Sequence, residues 1–216
     1  MQGSVENQSK TLKPVLITVI VVTLLLVPFL VYRLVATGDN LKTVLEENNV
    51  LLFTEPRSVP FVELNRHDGS PFTSAQFSGQ WDLVNFGYTY CPDICPTNMA
   101  DMKIAYNQLA EAGLADQVNF WMVTVDPERD STQQLSLYVP FFHPDFVGLT
   151  GKPESIATLA TQLSAVYYRE GDGEGYTVAH SDNYAIIDPN GKFVALMRPP
   201  HRPAHIVTAL TRLIGQ

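Results

Sequence analysis

The 216 residues include only two cysteines, Cys91 and Cys95, set in Tyr88-Thr89-Tyr90-Cys91-Pro92-Asp93-Ile94-Cys95-Pro96. Thiolates are soft metal ligands and good nucleophiles. A spacing of four puts both sulfurs on one face of a turn or helix, so they meet as a disulfide or on one metal ion. Three chemistries stand open. A structural disulfide is permitted in an oxidising compartment. It closes only a small loop here, and disulfide stabilisation grows with loop length. Thiol–disulfide exchange normally uses Cys-x-x-Cys, one residue shorter than this pair. A metal site needs at least one more ligand, because two thiolates fill only part of a coordination shell.

The five histidines are His67, His143, His180, His201 and His205. His67 belongs to the turn His67-Asp68-Gly69 and reads as exposed. His143, between Phe142 and Pro144, reads as part of a helix-ending loop. His201 and His205 flank the start of the last helix and read as surface residues. His180 stands in Thr177-Val178-Ala179-His180-Ser181, after the acidic glycine loop Gly171-Asp172-Gly173-Glu174-Gly175 and before a strand. In a thioredoxin-like layout that position adjoins the loop of the cysteines. Two thiolates and an imidazole suit copper, as Cu(I) or in trigonal Cu(II)–thiolate geometry. Zinc accepts the same donors, although a structural zinc site wants four. Met99, Met102, Met122 and Met197 recur at helix or strand spacing and read as core packing. Asp126, Glu128 and Asp130 follow a strand and read as a helix cap with a solvated turn. Asp93 either contacts a partner or ends a turn.

The elements that must hold these residues follow from hydrophobic periodicity. Residues 59–64 alternate like an edge strand. Residues 81–88 and 118–125 are apolar runs of the kind found in buried strands. Residues 96–112 carry Met99, Met102, Tyr106 and Leu109 at helical spacing, and Gly113 ends the helix. Residues 131–142 and 154–166 also read as helices. Strands at 183–188 and 192–197 enclose the turn Pro189-Asn190-Gly191, and residues 203–214 close as a helix with Pro203 in its first turn. Strands alternating with helices predict an α/β fold with a central mixed sheet flanked by helices. The cysteines then fall between the end of a central strand and the start of a helix. α/β sheets place their sites there, and a helix N-terminus lowers a thiol pKa.

The N-terminus is different in kind. Residues 15–31 contain no charge, and Pro14 and Tyr32 extend the run toward the roughly 20 residues a spanning helix needs. Lys10 and Lys13 precede it and Arg33 follows, which predicts an uncleaved signal anchor with a cytoplasmic N-terminus. Leu34-Val35-Ala36 faintly resembles a signal-peptidase site, but the apolar run exceeds the usual length of a cleaved signal. Residues 1–36 are the expected tip and anchor, 37–57 a linker with room for a short helix and no strong strand, and 58–216 the folded domain. Lys10, Lys13 and Arg33 against Glu6 give the first 36 residues a net charge of +2, leaving −10 for the remainder of a chain at −8. So acidic a body repels phosphate backbones, which argues against a nucleic-acid partner.

The run Gly87-Tyr88-Thr89-Tyr90-Cys91-Pro92-Asp93-Ile94-Cys95-Pro96-Thr97 resembles the signature of the Sco (SenC-type) copper chaperones. So do Val125-Asp126-Pro127-Glu128-Arg129-Asp130, Phe146-Val147-Gly148-Leu149-Thr150-Gly151, and His180-Ser181 ahead of an Asp-Pro-Asn-Gly turn. The likeness covers roughly residues 58–214. It implies a thioredoxin-like fold, with copper held by Cys91, Cys95 and His180. It also implies a role in delivering copper to the CuA centre of cytochrome c oxidase, or in keeping that centre's thiols reduced. The implied partners are the oxidase subunit carrying CuA, a periplasmic thiol reductant and a copper-donor chaperone. The anchor and its flanking charges predict the bacterial inner membrane as the location, with the domain in the periplasm. Two positions depart from the pattern: Ala179 stands where many members have Asp, and Tyr90 where a histidine is common. The rival expectation is a thiol–disulfide oxidoreductase acting on a partner's cysteines. A thiol peroxidase is a third, against which the Cys-Pro-x-x-Cys-Pro arrangement argues.

Overall fold

The computed structural model describes residues 4–173 and 175–215, with side chains omitted at 4–14 and 34–40. The side chains of Glu6, Lys10 and Lys13, the stretch Leu34-Val35-Ala36 and Glu174 therefore lie outside the described parts. The chain divides into two units, Met1–Thr43 and Val44–Gln216. A long helix α1 occupies Ser4–Glu47. Within it, Val15–Arg33 is long and apolar enough to cross a membrane. All its side chains are exposed.

The second unit is built on an eight-stranded sheet. Its strands are β1 (Val50–Ser58), β2 (Glu63–Arg66), β3 (Pro71–Thr73), β4 (Trp81–Gly87), β5 (Val118–Thr124), β6 (Val147–Thr150), β9 (Tyr184–Ile187) and β10 (Lys192–Met197). They lie in the order β1-β10-β9-β4-β5-β6-β2-β3. β4, β5 and β6 are parallel neighbours, and the other pairings are antiparallel. The remaining strands, β7 (Tyr167–Glu170) and β8 (Thr177–His180), pair only with each other among the described residues.

Four further helices cover the sheet: α2 (Ile94–Glu111), α3 (Thr132–Phe142), α4 (Pro153–Gln162) and α5 (Pro203–Ile214). α2 buries Met99, Met102, Ala105 and Leu109, and its neighbour α5 buries Ile206, Ala209, Leu210 and Leu213. α3 presses Leu135 and Val139 onto Gly148 of β6, where a Cβ would stand 3.0 Å from Val139. The opposite face carries Phe72, Phe77 and Trp121 packed as aromatic pairs at 5.0–5.4 Å, together with Ile156 and Leu159 of α4. A mixed sheet with crossover helices and a C-terminal hairpin is the expected thioredoxin-like arrangement. The four methionines predicted to pack the core are all buried.

Several expectations need correction. Residues 59–62 form no strand, and the strand expected over 59–64 is β2 at Glu63–Arg66. The segment taken as a linker ends in β1, an edge strand along β10. An edge strand buries one face and pairs on one side, so Thr54-Glu55-Pro56-Arg57 sits there exposed and gives no apolar run. Asn49 turns the chain into it at φ 63°, a conformation asparagine tolerates. His67 is half-buried, and its Nδ1 accepts from the Gly148 amide at 3.0 Å. His201 is buried, stacked on Tyr184 with ring centroids 3.7 Å apart, and its Nε2 donates to the Asp182 carbonyl at 2.6 Å.

Candidate metal centre

β4 ends at Gly87, and the chain turns through Tyr88–Cys91 with the Cys91 amide donating to the Tyr88 carbonyl at 3.2 Å. α2 then starts at Ile94, so Cys95 lies in its first turn and Cys91 just ahead of it. The two sulfurs sit differently: Cys95 is fully buried and Cys91 half-exposed, and both are free thiols. The Cys91 thiol is lowered to about 5, first by the hydrogen bond that Cys95 donates and then by the backbone N–H groups of Asp93, Cys95 and Ile94. That is the response expected of a sulfur at a helix N-terminus. The Cys95 thiol is pushed up, by donating to Cys91 and by burial. The pair is thus a ready thiolate next to a sulfur that holds its proton.

His180 comes from the far end of β8. Its Nε2 lies 3.3 Å from the Cys95 sulfur although 85 residues separate them. Its Nδ1 is 3.1 Å from the Ser181 carbonyl, which can only accept, so Nδ1 carries the hydrogen. In that tautomer Nε2 turns its lone pair to the sulfurs. The ligand atoms of Cys91, Cys95 and His180 all lie within 4.8 Å of one another. Two thiolates and one imidazole oriented by a backbone carbonyl form a compact soft donor set, which suits copper. Neither His67, His143, His201 nor His205 belongs to this group.

Two departures from the sequence reading shape the surroundings. Asp126 and Asp130 are buried, whereas Glu128 stays exposed. Asp130 accepts from the Thr89 amide at 3.0 Å, the Thr89 hydroxyl at 2.6 Å and the Thr124 hydroxyl at 2.7 Å. Burial raises its pKa. It anchors the loop two residues ahead of Cys91, and is not part of a solvated cap. Asp182, two residues after His180, accepts from Asn98 Nδ2 at 2.5 Å, and Asn98 is three residues on from Cys95 in α2. These tethers, with Arg129 and Tyr176 below, went unread in the sequence. The one available signal was the Asp126–Asp130 run, whose partners are remote in the chain.

A model of the SCO1/SenC family matches residues 53–215. The chain belongs to the SCO1/SenC family. Among Sco relatives, a "Putative copper-binding protein" of Stutzerimonas stutzeri is 36% identical over 157 residues, covering 72% of this chain and 76% of that one. "Protein SCO1 homolog 1, mitochondrial" of Arabidopsis thaliana is 35% identical over 158 residues, 73% of this chain and 47% of its own length, so this chain spans about half of that relative. The crystal structure of Arabidopsis thaliana ScoI with copper bound superposes at a TM-score of 0.67, with 31% identity over 73% of this chain and 98% of that one.

Proposed function

We propose that this Sco-family chain binds copper as cargo through Cys91, Cys95 and His180, and serves the assembly of the CuA centre of cytochrome c oxidase. The observation that carries the reading is the convergence of the three donor atoms within 4.8 Å. Copper binding by the similar Arabidopsis protein supports it. The apolar stretch Val15–Arg33 supports anchoring in a membrane, with the N-terminus cytoplasmic and the domain in the periplasm. Bound copper is a soft Lewis acid, to be passed on or exchanged. The protein supplies two sulfurs that must both be reduced, because an oxidised pair has no thiolate to offer. The reading therefore includes a periplasmic thiol reductant, a copper-donor chaperone, and the CuA-bearing subunit as recipient of copper or of reducing equivalents.

The test is titration of the reduced full chain in detergent with Cu(I) and, separately, Cu(II). One copper per chain is expected in both titrations, and a sulfur-to-copper charge-transfer band with Cu(II), since the filled d shell of Cu(I) cannot accept the electron. Cys91→Ser and Cys95→Ser should each weaken and shift the band, the double variant should abolish it, and His180→Ala should shift it. An unshifted spectrum in His180→Ala would falsify the three-donor site.

One observation favours a second reading, a thiol–disulfide oxidoreductase. Cys91 is half-exposed with a pKa near 5, while Cys95 is buried and protonated beside it, which is the division between an attacking and a resolving sulfur. Fast exchange with a dithiol peptide, lost in Cys91→Ser and intact in His180→Ala, would favour this second activity.

A further inference from the structure

His180 approaches the cysteines from a two-stranded piece that has no ladder to the main sheet among the described residues. Two four-residue strands are too little to hold a side chain in place by themselves. The loop between them includes Gly171 and Gly173 at φ 85° and 76°, a compliant backbone. The position of the imidazole must be fixed by other contacts.

After His180, Ser181 exchanges two bonds with Val166 and Asp182 is held by Asn98; ahead of it, Arg129 gathers the contacts. It lies in the turn after β5, and its guanidinium carbon stands 3.6 Å from the ring centroid of Tyr176, 5.0 Å from Tyr90 and 5.7 Å from Tyr88. Its Nε donates to Asp126 Oδ2 at 2.5 Å, and its Nη1 to the Tyr176 carbonyl at 3.0 Å. The Tyr176 hydroxyl donates to Asp126 Oδ1 at 2.6 Å, which closes a ring of three side chains. Arg169 covers Tyr176 as well, at 3.7 Å. Two residues on, the Val178 amide donates to the Tyr88 hydroxyl at 3.2 Å. Tyr176 and Asp126 are 8% and 4% exposed, so these bonds form largely out of water, where charge-assisted pairs are strong. Three segments meet here: the cysteine loop through Tyr88 and Tyr90, the turn after β5, and the strand that ends in His180. Only arginine offers a flat face for the rings and a fork for carboxylate and carbonyl together.

We propose that Asp126, Arg129 and Tyr176 form a latch that positions the His180 imidazole against the cysteine pair, so that the three donors are assembled before metal arrives. The inference rests on the Cys91–Cys95–His180 reading above. With the latch closed, the site loses little freedom on binding, which is the benefit of preorganised ligands. With it open, β8 keeps its pairing with β7 and the tethers at Ser181 and Asp182 but loses those on the Tyr176 side, so the ring is held less firmly over the sulfurs. Arg129, Asp126 and Tyr176 are positioning residues and touch no metal.

Hydrogen exchange of the metal-free, reduced full chain in detergent tests this directly. Arg129→Gln should speed exchange over residues 176–182 by about ten-fold or more, while β4 and β5 keep their rates, as expected of a local opening. Tyr176→Phe keeps the ring, loses only the bond to Asp126, and should act in the same direction. It also serves if Arg129→Gln does not fold. Arg129→Lys keeps the charge but loses the fork, and should resemble Arg129→Gln. The second readout is electron paramagnetic resonance after loading with Cu(II): nitrogen coupling seen in the parent should weaken in the latch variants and vanish in His180→Ala. Unchanged exchange at 176–182 overturns the proposal, as does a uniform acceleration across the core, which marks general stability. Nitrogen coupling lost in His180→Ala but full in the latch variants overturns the latch and spares the metal site. Coupling retained in His180→Ala brings down the three-donor reading and the latch with it.

Discussion

A Cβ on Gly87 would stand 3.1 Å from the sulfur of Cys95. The last residue of β4 has no side chain because the buried cysteine of α2 occupies that space. Methyl insertion into a packed interior costs about 1–3 kcal/mol. Gly87→Ala is expected to lower thermal stability by that order and to displace Cys95, weakening copper binding with it. Parallel melting and Cu(I) titration check this. An alanine variant that binds like the parent would show that the contact does not set the sulfur's position.

The asymmetry of the two thiols predicts a pH profile. Cys91 is lowered to about 5 by the Cys95 hydrogen bond and by backbone amides of the helix start, so its thiolate fraction is about nine-tenths at roughly pH 6 and nearly complete at neutrality. Alkylation of the reduced, metal-free protein should modify one cysteine, with a midpoint near pH 5 and a plateau through neutrality. Cys95→Ala removes the largest cause, so the midpoint should move up toward the ordinary thiol value of about 8.5. Mass spectrometry after timed iodoacetamide pulses reads both the site and the midpoint.

Asp82 carries a different pH signature, remote from the metal centre. It is fully buried, accepts from Trp121 Nε1 at 2.7 Å and Asn119 Nδ2 at 2.9 Å on one oxygen, and leaves the other oxygen without a partner. Burial raises its pKa to about 6. Between the unfolded value near 4 and this one, the native state binds more protons than the unfolded state, so stability falls as pH rises across that window. The shift corresponds to about 2–3 kcal/mol. Asp82→Asn abolishes this titration. The difference in unfolding free energy between variant and parent should therefore move in the variant's favour from pH 4 to pH 6 and level off above. Urea unfolding at a series of pH values measures it, and a difference flat across the window contradicts the assignment.

The helices and central strands were legible because their burial leaves a local trace. β4 and β5 are buried nearly throughout, and their sequences are mostly apolar, interrupted by Asp82, Asn85 and Asn119. α2 repeats its core residues at helical spacing. β1 left no such trace, since its partner β10 is more than a hundred residues away and most of its side chains face water. The cysteine pair announced itself by residue type. The closeness of His180 followed only from supposing a layout, because nothing local distinguishes it from His201, a histidine that turned out to be buried against Tyr184. Asp126 and Asp130 look like any acidic turn. Their partners Tyr176 and Thr89 are 50 and 41 residues away, beyond what periodicity or capping rules reach.

Asp130 shows what such a remote contact should be worth. Its carboxylate receives the Thr89 amide and the hydroxyls of Thr89 and Thr124, all inside the protein. Asp130→Ala leaves those donors facing a cavity, and unsatisfied buried donors cost about 1–3 kcal/mol each. A net loss on the order of 3 kcal/mol corresponds to roughly 6–12 °C in melting temperature for a domain of this size. Asp130→Asn retains one acceptor and should fall between parent and alanine. Thr89 stands two residues before Cys91, so loosening it should also disturb the amides that stabilise the Cys91 thiolate. The alkylation midpoint should accordingly rise in Asp130→Ala, in step with the melting temperature's fall. A destabilised variant whose midpoint stays near pH 5 would separate the two roles and confine Asp130 to stability alone.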